Sequence, residues 1–72
     1  MRKPKISRAT AASINPIISL SSKADTLSNC AQLIEAIGYA VEGGDAAICS
    51  QVYKITDAVV AAMTYEMEGR EL

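Results

Sequence analysis

Few residues of this sequence belong to the types that usually carry out chemistry. The chain of 72 residues contains no histidine, which is the commonest general base and metal ligand in proteins. Three carboxylates, Glu66, Glu68 and Glu71, lie close together near the C-terminus. Paired carboxylates act as acid and base only where they converge in a pocket, whereas these occupy a predicted solvent-exposed end. We therefore expect a non-enzymatic protein with no metal, no cofactor and no small-molecule substrate.

Two adjacent glycines, Gly43 and Gly44, stand between the acidic residues Glu42 and Asp45. Phosphate-binding loops need a longer glycine pattern or a preceding strand, and two flanking carboxylates would repel an anion. The pattern instead predicts a corner between two helices. Gly43 is expected to be the left-handed cap that ends the first helix, and Asp45 is expected to be the N-cap of the second.

The two cysteines, Cys30 and Cys49, lack the spacing and the histidine partners of a metal site. On the predicted helices they lie about 10–12 Å apart at a rise of about 1.5 Å per residue. This separation is beyond the reach of a disulfide bond within one hairpin, although a bridge between two chains stays open. Cys30 falls among apolar residues, where a thiol acts as a small hydrophobic group. We therefore expect two buried free thiols in a reducing compartment.

No segment of the sequence has the pattern of a membrane span or a cleaved leader. The longest unbroken apolar run, residues 58–63, is far shorter than the roughly 20 residues that cross a bilayer. Residues 9–20 follow a basic start, as in a signal peptide, but Ser13, Asn15 and Pro16 interrupt the apolar stretch. The expected location is the cytoplasm.

Apolar spacing predicts two amphipathic helices, over residues 23–42 and 46–67, with Gly69 as the expected stop of the second. Ser21 or Ser22 is the expected N-cap of the first helix, and Ser22 with Asp25 approximates a capping box. Because the linker has only two to three residues, the sequence predicts an all-α antiparallel two-helix hairpin. Residues that recur every three or four positions define the predicted inward faces. They are Leu27, Cys30, Ile34, Ile37 and Val41 in the first helix, and Ile48, Val52, Ile55, Val59 and Ala62 in the second.

Pro16 divides the sequence into a predicted basic flexible arm, residues 1–15, and a helical hairpin domain, residues 16–72. Residues 17–20 are apolar, and we expect either a short strand or an extended strip laid on the core. The first eight residues contain no acid, whereas residues 9–72 contain three basic and eight acidic side chains. The arm is a candidate contact for nucleic acid or an acidic partner, with a solvated terminus as the alternative. Its basic residues are Arg2, Lys3, Lys5 and Arg8.

Each predicted helix has an apolar arc wider than one partner helix covers, and such a patch typically marks an association surface. Two hairpins related by a two-fold axis would bury it in a four-helix bundle, and docking onto a different protein is the alternative. The predicted dimer or partner interface comprises Ile17, Ile18, Leu20, Leu33, Ile37, Ala40, Tyr53, Val60, Met63 and Met67.

The segments PIISL, LSNCAQLIEAI and VYKITDAVVAAM follow one another within residues 16–63, with a helix cap after the first. In this order they resemble a family of very small bacterial proteins of unknown function, in which an apolar strip precedes a helical hairpin. The resemblance implies a small non-enzymatic accessory protein, with a prophage or another mobile element as one suggested source. It brings no catalytic residues. Two hypotheses follow: a homodimeric protein–protein interaction or regulatory module, and a small nucleic-acid-associated regulator that uses the basic arm.

Overall fold

A computed structural model describes residues 4–70. This part of the chain contains four helices: α1 (Arg8–Ile14), α2 (Lys23–Glu42), α3 (Ala46–Cys49) and α4 (Val52–Glu68). Helices make up 72% of the structure and the described residues form no strand, which confirms the all-α class. The only β-type contact among them is an isolated antiparallel bridge between Lys5 and Arg70.

Helix α1 lies inside the segment that the sequence analysis treated as a flexible arm. The Ser7 side chain caps its start by accepting a hydrogen bond from the Thr10 amide, and Ala11 is almost fully buried against the core. A seven-residue helix makes only about two turns, and Ala11 is its only fully buried residue. Its sequence therefore shows no apolar periodicity, which is why pattern analysis misses it.

Helix α2 has the predicted bounds, but a different face of it points inward. Ser22 is the N-cap, and its hydroxyl accepts a hydrogen bond from the Asp25 amide at 3.1 Å. The buried residues of α2 are Thr26 and Cys30, with Leu33 packed against the core. Of the predicted inward residues, Cys30 is buried and Ile37 is half-buried, whereas Leu27, Ile34 and Val41 are exposed. The inward side is therefore rotated from the predicted one toward Thr26 and Leu33.

The second predicted helix is divided in two, which corrects the single helix expected over residues 46–67. Asp45 caps α3 as predicted, since its carboxylate accepts a hydrogen bond from the Ile48 amide at 3.2 Å. The Ser50 hydroxyl then donates to the Ala47 carbonyl, and the Gln51 amide donates to Ile48. These shorter-range bonds end the helix after one turn, and α4 starts at Val52.

The corner between α2 and α3 uses its two glycines differently from the prediction. Gly43 keeps a helical conformation, whereas Gly44 has a φ of 71° and is the left-handed residue. The Asp45 amide donates to the Ala40 carbonyl, and the Gly44 amide donates to Val41. This pair of bonds defines a Schellman cap, so the left-handed residue lies one position later than predicted. Gly69, at φ 72°, ends α4 as expected.

The core lies between α2 and α4 on the side that α1 covers. Its buried hydrophobic residues are Ala11, Ile18, Cys30, Val59, Ala62 and Tyr65. Residues 17–20 form turns and bends rather than a strand: Ile18 enters the core, whereas Leu20 is exposed. Two asparagines hold this segment in place, because Asn15 donates to the Ala58 carbonyl of α4 and Asn29 of α2 donates to the Ile17 carbonyl.

Candidate functional site

The largest group of exposed apolar side chains lies on one side of the pair formed by α2 and α4. These helices run in opposite directions, since Thr26 near the start of α2 lies beside Glu66 near the end of α4. Each successive residue of an α-helix is rotated by about 100° around the helix axis, always in the same direction. In two packed antiparallel helices, the residues that directly follow the inward ones therefore point to the same side of the pair.

We call this side the apolar face. On α2 it consists of Leu27, Ala31, Ile34, Gly38 and Val41. On α4 it consists of Tyr53, Thr56, Val60, Met63 and Met67. Its large hydrophobic side chains are between 40% and 75% exposed, and no element among residues 4–70 covers them. Neither set contains a charged residue.

The opposite side of the α2–α4 pair is the one that α1 and the following turn cover. Ala58, which accepts the hydrogen bond of Asn15, precedes the inward residue Val59. Asn29, which donates to Ile17, precedes the inward residue Cys30. The two sides of the pair are therefore unequal: the chain covers one and leaves the other open.

Gly38 lies in the last third of α2 on the apolar face, and no packing contact among residues 4–70 explains why it is glycine. A Cβ atom built at Gly38 would have no neighbour within 4 Å, and the residue is helical. Glycine inside a helix costs about 1 kcal/mol relative to alanine. With Ala31 one heptad earlier, Gly38 makes a shallow strip along α2, whereas Tyr53, Met63 and Met67 make α4 bulky.

The predicted interface residues fall into three groups in the structure. Ile18 belongs to the core of the chain itself, and Ile17 and Leu33 pack against that core. Ile37 and Ala40 are half-buried, and Leu20 is exposed. The residues that lie together on the open surface are the four from α4, namely Tyr53, Val60, Met63 and Met67.

Arg8 is not a free cation of a basic arm. Its guanidinium donates two hydrogen bonds to the Glu66 carboxylate, at 2.8 and 2.9 Å, and a third to the Ser19 carbonyl. It also lies 5.7 Å from the centre of the Tyr65 ring. Lys5 is exposed and its backbone bridges to Arg70. Arg2 and Lys3 lie outside the described residues.

Glu66 is the residue whose environment the sequence analysis missed. It was expected on a solvated end, but its side chain is only 3% exposed. The Arg8 hydrogen bonds lower the pKa of Glu66 most, and the Thr26 hydroxyl lowers it further. Thr26 is itself fully buried and accepts a hydrogen bond from the Ser19 amide at 2.8 Å. The cluster joins α1, α2 and α4, so its role is structural.

The two cysteines are both free, as predicted, but only one is buried. Burial raises the pKa of the Cys30 thiol. Cys49 is exposed at the end of α3, because the break after this helix leaves it outside the core. Within residues 4–70, no group of three or more metal-ligating side chains is present.

A cleft of about 390 Å³ lies between α1 and α4, with walls that are mostly apolar. Ile6, Ile14 and Pro16 line one wall, and Ala58 and Ala61 line the other. Its few polar side chains include Asn15, which is already hydrogen-bonded to Ala58. Asp57 and Tyr65 are the other polar side chains that line it.

Comparison with known proteins gives no match to a family model, a curated protein or a solved structure. Across the part of the chain that the structure describes, no helix combines the length and apolarity needed to cross a membrane.

Proposed function

We propose that this protein is a cytoplasmic, non-catalytic protein-interaction module that acts as a homodimer, a helical hairpin pairing with a second one in a four-helix bundle. The observation that supports the proposal is the uncharged apolar face of α2 and α4. Soluble monomers rarely expose large contiguous apolar patches, and such patches typically mark protein contacts. A regulatory role follows if a further protein binds the dimer through the surfaces that remain exposed.

The small core of one chain also supports association. Below about 70–80 residues, a single core rarely supplies more than about 3–5 kcal/mol of stability. Three of the six buried hydrophobic residues here are the small Ala11, Cys30 and Ala62, while larger ones such as Ile34 and Met67 remain in water. Dimerisation would bury these larger side chains and add the stability that one chain lacks.

Light scattering and sedimentation of the full chain test the proposal. We expect the mass of a dimer at micromolar concentration, and a monomer for Val60→Glu, which puts a charge at the centre of the apolar face. Gln32→Glu adds the same charge to an exposed position of α2 outside this face and should remain a dimer. A well-folded wild-type monomer at tens of micromolar would refute the homodimer.

The alternative, a nucleic-acid-associated regulator, loses one of its four basic residues because Arg8 is bound to Glu66. It predicts DNA binding that weakens steeply with salt and disappears in the triple variant Arg2→Ala, Lys3→Ala, Lys5→Ala. This variant keeps Arg8 and so preserves the contact that holds α1. An absence of DNA binding at low salt would exclude the alternative.

A further inference from the structure

We infer that the apolar face binds a second copy of itself about a two-fold axis parallel to the helices, so that α4 of each chain packs along the Ala31–Gly38 strip of α2 in the other. The inference rests on the proposed homodimer and adds its interface and its geometry. It commits to one occupant of the face, namely the same face of another chain.

The size of the face suits a dimer. Helix α4 has 17 residues and is therefore about 25 Å long, and two packed helices are together about 20 Å wide. The face therefore has a flat area of about 500 Å² per chain, and its protruding side chains add to this value. Two such faces reach the roughly 1,000 Å² of total buried area that a specific interface needs.

Charge also favours a second copy as the occupant. The face has no charged residue, so two identical faces meet without like-charge repulsion and without burying an ion. Glu35 and Glu42 of α2 and Asp57 of α4 are exposed outside the face, and Glu66 of α4 is paired with Arg8. A polar rim around an uncharged centre is the usual composition of a protein interface.

Shape selects between the two symmetric ways of stacking the pairs. A two-fold axis perpendicular to the helices would place α2 on α2 and α4 on α4. The shallow Ala31–Gly38 strips would then lie against each other, while the bulky α4 of one copy would pack on the bulky α4 of the other. An axis parallel to the helices places the bulky α4 of each chain on the shallow α2 strip of the other. The two contacts between the chains are then equivalent and equally well packed.

The heights of the residues within one chain define the contacts between chains. Thr26 and Glu66 lie at the same position along the common direction of the two helices. Because the helices are antiparallel, moving eight residues forward along α2 matches moving about eight residues backward along α4. Ile34 is therefore level with residues near Val60. Because an axis parallel to the helices preserves height, Ile34 of one copy meets Val60 of the other. Gly38 of one copy then lies opposite the region of Tyr53 in the other, where the missing side chain leaves room.

Disulfide trapping tests this geometry. Two variants with one introduced cysteine each, Ile34→Cys and Val60→Cys, are made with Cys49→Ser, which removes the exposed native thiol and leaves buried Cys30. One of them carries a mass tag, and the two are mixed and oxidised with glutathione disulfide. We expect the mixed disulfide between the two variants to exceed either homodimeric disulfide several-fold. Gln32→Cys in the same background should give no specific product.

The outcomes separate the geometry from the function. Predominant homodimeric disulfides in a dimeric protein would overturn the parallel axis and leave the homodimer standing. A dimer without any cross-link at these two positions would exclude the apolar face as its interface. A monomer by light scattering would overturn the proposed function together with the inference.

A second pair of variants tests the role of Gly38 without introducing charge. A Cβ atom at Gly38 has no packing neighbour within 4 Å among residues 4–70, so Gly38→Leu should retain its helix content by circular dichroism. Filling the strip should nevertheless raise the dimer dissociation constant at least tenfold. Ala36→Leu adds comparable apolar bulk to an exposed position of α2 outside the face and should leave the constant unchanged. Equal behaviour of the two variants would contradict the proposed packing.

Discussion

The two thiols lie in opposite environments, and their reactivity should differ accordingly. Cys30 is buried and its pKa is raised by burial, whereas Cys49 is exposed. Because the thiolate is the reacting species, iodoacetamide should alkylate Cys49 in the native protein at least about tenfold faster than Cys30. Peptide mass spectrometry measures both rates. In denaturant the two rates should converge, and equal rates in the native state would contradict the buried position of Cys30.

The Glu66 carboxylate should make folding stability depend on pH. Its pKa is lowered in the folded protein, chiefly by Arg8, so its contribution is present above the unfolded pKa of about 4.3. That contribution is lost as pH falls through the lower, folded pKa. Glu66→Gln removes a charge-assisted hydrogen-bonding partner of Arg8. We expect it to reduce the free energy of unfolding at pH 7 by about 1–3 kcal/mol.

Urea unfolding at pH 7 and at acid pH measures both effects. The difference between wild type and Glu66→Gln should shrink in acid, because the protonated wild-type carboxyl also loses the ion pair. The control is Glu68→Gln, since Glu68 is more exposed and its nearest contact to Arg70 is 3.7 Å. This control should change stability little at either pH. An equal loss in the two variants would contradict the special position of Glu66.

At the scale of the elements, the corner between α2 and α3 depends on Gly44 rather than Gly43. Gly44 has a φ of 71°, a conformation that costs a residue with a Cβ about 1–2 kcal/mol. Gly44→Ala should therefore lower the free energy of unfolding by about that amount. Gly44→Asn should lose less, because asparagine tolerates the left-handed conformation better. Denaturant midpoints distinguish the two variants. An unchanged free energy of unfolding in Gly44→Ala would contradict the left-handed conformation at residue 44.

The elements also differ in how far local sequence predicts them. Helix α2 starts at a serine cap and ends at a glycine pair, and both signals act within a few residues, so its bounds were predicted. The break between α3 and α4 depends on the weaker Ser50 bond to Ala47, which leaves no such signature. Helix α1 is held by its contacts with α2 and α4, including the bond from Asn15 to Ala58, 43 positions away. A window of neighbouring residues does not contain that information.

At the scale of the whole molecule, stability should depend on protein concentration. A ligand that binds only the folded state stabilises it by mass action, and in a homodimer the second chain is that ligand. Across a hundredfold increase in concentration, the wild-type thermal midpoint should rise by at least about 4 °C. The Val60→Glu variant should show a constant midpoint, as should any folded monomer. A constant wild-type midpoint would contradict dimerisation in this concentration range.

The sequence by itself determined the helical class, the bounds of α2, the cap at Asp45 and the stop at Gly69, because these depend on local hydrogen bonding and backbone conformation. It also indicated surplus apolar surface that includes Tyr53, Val60 and Met67. On α4 the predicted inward residues Val59 and Ala62 are buried, so only the inward side of α2 was decided by the tertiary structure. On α2 the polar Thr26 is buried and the apolar Leu27 is exposed.

The physical reason is that burial depends on partners distant in the chain. Thr26 is buried because it meets Glu66 and the Ser19 amide, and Glu66 is buried because Arg8, 58 positions away, satisfies its charge. Apolar periodicity treats both residues as solvent-exposed, since it scores each side chain without its partner. Once α1 covers one side of the α2–α4 pair, the opposite side becomes the open apolar face.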